Sequence, residues 1–317
     1  AVRPDSAWME EALWLHGPSA FDAAGVRPTF ARASEAAQFP EGGYYFLGSD
    51  RHWLMLRCPN RFRHRPAHAD LLHVDVWWKG MNLIQDPGTY SYNSQGHWNN
   101  GLVHTQVHST VGVDGEDQMR HHSKFLFLRW ARGSVWPMSG VPDGVIEGWE
   151  AVHDGYARLD DPVRHCRRVQ RLPGDHWIVL DWLTSREIHQ YRLHWLLLDV
   201  PYALSPDPGV AAGCQFKLVL QTPAGEYSLS TGGTEALRCN VVRADPTSTR
   251  GWVSRRYAHK DPALSVEAEC RSQSVCLWTI LGPGTVEISY QKGALLLRGN
   301  AWQREVAVAE PSRNGSR

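Results

Sequence analysis

The residues best suited to chemistry in this chain are histidines and aspartates gathered in two short segments. His68-Ala69-Asp70 forms the first segment, and the run from His104 to His108 (HTQVH) forms the second. Neutral imidazole nitrogens and carboxylate oxygens are the usual ligands of a zinc-type ion. Such groups on the neighbouring strands of a rigid sheet can hold a metal ion, and they can also orient a polar substrate.

A predicted hairpin lies between these two segments. Residues 72–86 form two short runs in which apolar and polar residues tend to alternate, as in strands. Lys79-Gly80 fits a tight turn between the two runs. A simple two-residue turn would place His73 opposite Asp86. In that register His73 competes with His68 as the partner of Asp86, whereas a bulge or a fold-back of His68 would favour His68.

The composition excludes several classes of protein. Lys plus Arg and Asp plus Glu number 33 each in 317 residues, so no overall charge directs the chain to nucleic acid. The hydrophobic fraction of 42% permits a proper core. We expect no membrane span, because no apolar run reaches about 18 residues. The six cysteines include no C-x-x-C pair, which argues against a cysteine zinc site.

The pattern of the chain is mostly that of strands. Short aromatic and β-branched runs recur from residue 42 onward with turn signals between them. They predict a mainly β fold, a large antiparallel multi-sheet β-sandwich. Ser6–His16 has the apolar spacing of a short helix. We therefore predict a helical segment and linker over 1–40, the β-sandwich over 41–310 and a disordered tail over 311–317.

Several motifs resemble those of the heparinase II/III family of polysaccharide lyases. The resemblance is carried by His-Ala-Asp at 68–70, by Asp-x-Gly-Thr-Tyr-x-Tyr at 86–92 and by His-x-Thr-Val at 108–111. The stretches 163–168 (VRHCRR) and 192–197 (RLHWLL) are also similar to the family.

The resemblance implies an architecture and an activity. Members combine an N-terminal helical toroid with a C-terminal β-sandwich, and the sugar lies between them. This chain would be the sandwich part, with Ser6–His16 as a remnant of the toroid. The implied reaction is β-elimination on an acidic, uronic-acid-containing polysaccharide, in the periplasm or outside the cell. Much of the acid/base machinery would come from the missing toroid, so the chain alone is expected to be inactive.

The resemblance also implies a ligand set. His68, Asp86 and His108 would hold a structural zinc ion that shapes the wall of the cleft. The alternative is a hydrogen-bonded cluster of the same side chains without a metal ion.

Other residues are predicted to face the substrate. Tyr90 and Tyr92 fit the family loop and, with His73, are the predicted catalytic groups, although packed tyrosines are the alternative. Arginines suit acidic sugars because they bind carboxylates and sulfates with two hydrogen bonds. The predicted substrate-binding residues are Arg61, Arg65, Trp98 and Asn99.

The chain departs from the family pattern at two positions, and the departure at Pro66 supports a second hypothesis. Pro66 occupies the position where many members carry a histidine implicated in catalysis, and Ser109 replaces the usual asparagine. The second hypothesis is a non-catalytic β-sandwich module that binds a glycan or a partner.

Overall fold

The computed structural model describes residues 13–14, 17, 35–49, 51–139, 146–207 and 215–310. Within these ranges the chain is mainly β-strand, and no helix of seven or more residues occurs. The predicted helix over Ser6–His16 falls almost wholly outside the described residues and gains no support from them. The predicted tail 311–317 also lies outside them. The sheet begins at Glu35, inside the segment expected to be a linker.

The strands follow one another closely along the chain. The first are β1 (Glu35–Phe39), β2 (Tyr44–Gly48), β3 (His52–Arg57), β4 (His73–Trp78), β5 (Met81–Ile84), β6 (Val111–Val113), β7 (Arg120–Ser123) and β8 (Leu126–Leu128). The next are β9 (Gly133–Ser139), β10 (Ile146–His153), β11 (Arg164–Leu172), β12 (His176–Leu197), β13 (Tyr202–Asp207), β14 (Gln215–Thr222) and β15 (Gly225–Gly233). The last are β16 (Arg238–Arg243), β17 (Trp252–Arg256), β18 (His259–Pro262), β19 (Leu264–Pro283), β20 (Glu287–Gln291), β21 (Ala294–Gly299) and β22 (Trp302–Ala307). Short 3₁₀ turns occur at Gly96–Trp98, Gly101–Val103, Thr105–Val107 and Gly155–Arg158.

Fifteen strands of the described ranges join in one antiparallel network. Its main path runs β1-β2-β3-β4-β5-β12-β19-β15-β14-β13, and β11, β10 and β9 extend from β12. Strand β6 also pairs with β12, and β16 pairs with β19. The strand pairs β7–β8 and β17–β18 and the three-stranded sheet β20–β22 are separate. This arrangement confirms the predicted antiparallel multi-sheet β-sandwich.

Strands β12 and β19 connect the parts of this network. They pair on both sides of a register break between Thr184 and His189. Before the break β12 also pairs with β11, and after it with β6 and β5. The sequence predicted two separate strands at 177–182 and 191–198, which in the structure form one continuous strand.

Large apolar side chains fill the space around these strands. Trp149, Trp177 and Trp195 are each only 1% exposed, and a buried tryptophan removes about 150 to 250 Å² from water. A second core, which includes Trp278 and Leu295, lies under the β20–β22 sheet. Burial of these rings is the main force that holds the long strands together.

Two further observations concern the cysteines and the prediction that no segment spans a membrane. Within the described ranges, the cysteines at positions 58, 166, 270 and 276 are free thiols. No helix in these ranges is long and apolar enough to cross a membrane.

An ionic clamp closes the register break in β12. His189 Nδ1 lies 2.6 Å from Asp114 Oδ2, and its Nε2 lies 3.0 Å from Asp161 Oδ2. Burial acts to lower the pKa of His189, but the two carboxylates outweigh burial and raise the pKa above its usual range. The protonated ring therefore ties two loops to the bend of β12.

We predict that the stability contributed by this clamp falls as pH rises. A histidine with a raised folded-state pKa stabilises fully below its unfolded pKa of about 6.5, and this contribution is lost as pH rises through the folded value. His189→Gln should lower the free energy of unfolding by about 1 to 2 kcal/mol near pH 5.5 and by less near pH 9. Urea denaturation at both pH values measures this, with exposed His122→Gln as the control. An equal loss at both pH values would contradict the prediction.

Candidate metal centre

A cavity of about 610 Å³ opens beside strands β3 and β4. His68, His73 and Asp86 line it together with arginines 57, 61, 63 and 65. The predicted substrate residues Arg61 and Arg65 are exposed there. The cavity thus combines potential metal ligands with a cationic rim.

The hairpin β4–β5 sets the position of Asp86. Lys79 and Gly80 both have positive φ, 49° and 81°, as a two-residue hairpin turn requires, which confirms the predicted turn. The register then shifts by one residue between Val76 and Trp77. This bulge moves Asp86 along the strand, away from direct pairing with His73.

A buried hydrogen bond stabilises the bulge. The Asn82 side-chain amide donates to both carboxylate oxygens of Asp75, at 2.9 and 3.1 Å. Burial raises the pKa of Asp75 to about 7, although the bond from Asn82 opposes the shift. Sequence reasoning placed Asp75 on the face of His73 but did not identify this contact.

His68, Asp86 and His108 converge beside the cavity, which His68 and Asp86 line. One potential ligand atom from each residue lies within 4.8 Å of the other two. His68 Nδ1 is 3.0 Å from His108 Nε2, and that Nε2 is 3.6 Å from Asp86 Oδ2. Asp86 Oδ1 accepts a hydrogen bond from the Gly88 N–H at 2.8 Å, so Oδ2 is the oxygen that faces the histidines.

The outer hydrogen bonds of this trio suit a metal ion. His108 Nδ1 lies 2.7 Å from the His104 carbonyl oxygen, so Nδ1–H donates and the Nε2 lone pair faces the trio. His68 Nε2 lies 3.2 Å from Thr89 Oγ1, and donation to that oxygen leaves the Nδ1 lone pair facing inward. Two imidazole lone pairs and one carboxylate oxygen form a donor set that fits zinc.

The charges of the trio also fit a cation. Burial lowers the pKa of His68, so the ring is neutral at neutral pH. Burial acts to raise the pKa of Asp86, but His108, His73 and His68 together hold it below its usual range. A neutral imidazole and an ionised carboxylate are the protonation states that a metal ion binds.

His73 lies beside the trio in a different role. It is 1% exposed, and its Nδ1 accepts a hydrogen bond from the Ser109 N–H at 3.0 Å. Burial lowers the pKa of His73 to about 3, so the ring is neutral and carries its proton on Nε2. That Nε2 is 3.9 Å from Asp86 Oδ2. This separation is beyond hydrogen-bond distance, so the Nε2–H of His73 has no hydrogen-bond partner among the described residues, and no lone pair of its ring faces the trio.

A buried arginine fixes the backbone that carries these histidines. Arg167 is fully buried and binds Asp181 with two hydrogen bonds, at 2.7 and 2.9 Å. Its remaining Nη1 donates to the carbonyl oxygens of Leu72 and Ser109, at 2.6 and 2.7 Å. One side chain therefore connects the chain segments that lead to His73 and follow His108.

The network around Arg167 extends further into the core. His165 Nε2 lies 2.7 Å from Asp181 Oδ1, and His153 Nε2 lies 3.1 Å from His165 Nδ1. Burial acts to raise the pKa of Asp181, but Arg167 and His165 lower it below its usual range. Sequence reasoning missed this network, although the stretch 163–168 was among the motifs that carry the family resemblance.

None of the other predicted site residues is a member of the trio. The Tyr90 and Trp98 rings contact each other, and Lys260 Nζ lies 4.6 and 3.8 Å from their centroids. The Tyr92 ring packs against other aromatic residues, and Asn99 is exposed at the end of a 3₁₀ turn. None of these four is among the described residues that line the cavity.

The cavity wall includes two residues relevant to the departures from the family pattern. Pro66 is buried and lines the cavity, so it lies where the resemblance would place a histidine. Asp70 of the His-Ala-Asp segment pairs with Arg57 at 3.4 Å rather than joining the trio.

Comparisons with known proteins agree with this fold. The family described as Heparinase II/III-like, C-terminal, matches residues 31–293. Heparan sulfate lyase HepC from Pedobacter heparinus has a TM-score of 0.65 at 17% identity, covering 93% of this chain and 45% of that chain. A crystal structure of heparinase III has a TM-score of 0.64 at 12% identity, covering 87% and 42%. A comparison with curated proteins found no match.

The fold and the convergent trio define a β-sandwich of the kind found in polysaccharide lyases. The chain belongs to the heparinase II/III family, through its C-terminal domain. It spans less than half the length of the solved structures reported above. At identities below 20%, those structures support the fold.

We predict that Gly88 is essential to the loop that presents Asp86. Its φ is +69°, and a Cβ there would lie 1.9 Å from the Ser254 carbonyl oxygen. Gly88→Ala should therefore cost roughly 3 kcal/mol or more in unfolding free energy. Gly80→Ala is the matched control, because φ is +81° and no atom lies within 4 Å of its Cβ position. It should cost only about 1 to 2 kcal/mol. Equal losses in urea denaturation would contradict the steric argument.

Proposed function

We propose that this chain is the β-sandwich part of a lyase that cleaves uronic-acid-containing polysaccharides by β-elimination. The observation that carries the proposal is the convergence of His68, Asp86 and His108, of which His68 and Asp86 line a cavity that several arginines also line. Arginine forks bind carboxylates and sulfates with two hydrogen bonds each. An acidic sugar chain is therefore the ligand that this cavity suits best.

The residues of this chain would hold and orient the sugar. Elimination removes a proton next to a carboxylate, so charge on that carboxylate has to be stabilised while the leaving oxygen is protonated. Arg61 and Arg65 would bind the acidic groups at the rim. Zinc on His68, Asp86 and His108 would supply a fixed positive charge and shape the wall. Tyr90 and Tyr92 remain the predicted acid/base groups of this chain.

Further parts of the proposal concern the rest of the protein. We infer that an N-terminal toroid completes the cleft and that the sandwich alone has little or no activity. We further infer that the protein acts in the periplasm or outside the cell, where acidic polysaccharides are accessible.

A second function is favoured by one observation. Pro66 lines the cavity at the position where the resemblance places a catalytic histidine, and proline has no group that transfers a proton. A non-catalytic glycan-binding or interaction module would tolerate this replacement.

We predict that the chain binds zinc through the trio. His68→Ala and His108→Ala should each lower the zinc content by at least about tenfold at limiting metal, because each variant removes one ligand. His64→Ala, which changes an exposed histidine of the same cavity, is the control. Elemental analysis of purified protein measures the content. Unchanged zinc in both trio variants would disprove the ligand assignment.

We predict lyase activity when the chain is joined to its upstream sequence. Incubation with heparan sulfate, alginate and hyaluronan should give the ultraviolet absorbance of an unsaturated product with at least one polymer, and the chain alone should give little. Binding without product by the joined protein would favour the non-catalytic module. Absence of both binding and product would contradict both functions.

A further inference from the structure

Three aromatic side chains from three separate turns meet on an exposed surface. The Tyr92 ring lies 4.7 Å from the Phe125 ring and 5.3 Å from the Tyr257 ring. Phe125 is 54% exposed and Tyr257 is 53% exposed. Hereafter these three residues are called the aromatic platform.

The location of these aromatic residues is unusual for hairpin turns. Phe125 lies in the turn between β7 and β8, and Tyr257 lies in the turn between β17 and β18. Turn tips usually carry small polar residues or glycine, and exposed contiguous apolar surface generally marks a binding site. Ala258, next to Tyr257, also has a positive φ of 60°, a conformation that alanine rarely adopts. The turn therefore presents Tyr257 at a conformational cost.

Hydrogen bonds fix the platform in place. The Tyr257 hydroxyl accepts a hydrogen bond from the Tyr92 N–H at 3.2 Å, and the Ala258 N–H donates to the Tyr90 carbonyl oxygen at 2.7 Å. Ser254 Oγ also donates to the Thr89 carbonyl oxygen at 2.9 Å. The rings are thus held by the same loop that presents Asp86.

The platform is close to the metal centre. Thr89 Oγ1 lies 3.2 Å from His68 Nε2. Tyr92 follows Thr89 by three residues, so their Cα atoms are at most about 11 Å apart. A ligand chain that passes the trio can therefore reach the platform.

Cationic residues come directly before both exposed rings of the platform, and the first acidic residue after Tyr257 in the chain is Asp261. The stretches 120–130 and 252–260, which carry the two turns, contain no acidic residue. They contribute the cations Lys124 and Arg256 immediately before Phe125 and Tyr257. Hydrogen bonds from Ser91 and the Tyr92 backbone, with a smaller effect of Lys124, lower the pKa of Tyr257. A ligand that suits this surface combines a flat apolar face with negative charge.

We propose that the aromatic platform binds a unit of an acidic saccharide, with the sugar face on the rings and its carboxylate or sulfate beside Lys124 and Arg256. This inference rests on the proposed function, because it extends the glycan path from the cavity to a second binding surface. It assigns a binding role to Phe125 and Tyr257, which belong to none of the family motifs and do not line the cavity.

The test measures binding of heparan sulfate, hyaluronan and alginate to the chain by calorimetry. The double variant Phe125→Ala/Tyr257→Ala should weaken binding by about tenfold, because two stacking faces are lost. Tyr257→Phe should weaken binding much less than the double variant, since the ring remains and only the hydrogen bonds to its hydroxyl, among them that from the Tyr92 N–H, are lost. Tyr202→Ala is the matched control, because Tyr202 is 40% exposed and lies on β13, the far end of the sheet path from β1. Lys124→Ala should weaken binding more at low than at high salt.

The outcomes separate this inference from the proposed function. Unchanged binding by the double variant, with weaker binding by an Arg61→Ala/Arg65→Ala variant, would overturn the platform and leave the cavity proposal standing. A wild-type chain that binds none of the three polymers would contradict both. If the double variant binds glycan normally but no longer associates with the upstream domain, the surface is a domain interface and the inference is wrong.

Discussion

The geometry of the candidate metal centre depends on the buried guanidinium of Arg167. Its fork neutralises Asp181, and its remaining nitrogen connects two backbone segments that are distant in sequence. Leu72, one of the residues it holds, has a φ of 61°, a conformation that costs about 1 to 3 kcal/mol in a residue with a side chain. A removed guanidinium would leave the Asp181 carboxylate buried without its main partner, which is among the most expensive changes in a protein core. The core thus maintains a backbone turn that places His68 and His73 at the same cavity.

Much of the fold could be predicted from the sequence because strand patterns and turn residues are local signals. The alternation in 72–86 and the turn at Lys79-Gly80 both correspond to observed elements. The continuity of β12 could not be predicted, because residues 184–189 resemble a loop, whereas β12 resumes its pairing with β19 on the far side of this register break. The fold class could be predicted from the local residue pattern, whereas the length of strand β12 was set by its pairing with other strands.

The candidate metal trio likewise combines a feature that the sequence predicts with features that only the structure shows. Its membership came from a family motif, and a simple strand register would have chosen His73 instead of His68. The bulge at Val76 resolves the choice, and its stabilising bond between Asn82 and Asp75 joins residues on different strands. Tyr90 was predicted as a catalytic group from the family loop and Trp98 as a substrate-binding residue; both roles stay predictions, and the structure adds that the two rings enclose Lys260. Residue type indicated aromatic contact area, but only the fold determined its partner.

The enclosure of Lys260 has a consequence for the thermodynamics of ligand binding. Its ammonium group lies 4.6, 3.8 and 5.0 Å from the ring centroids of Tyr90, Trp98 and Trp252, so it joins the loop after β5 to the β17–β18 hairpin by cation–π attraction. A loop that is already ordered in this way loses little conformational entropy when a ligand binds. A ligand can therefore bind more tightly to this rigid loop without making any additional contact, and it should dissociate more slowly.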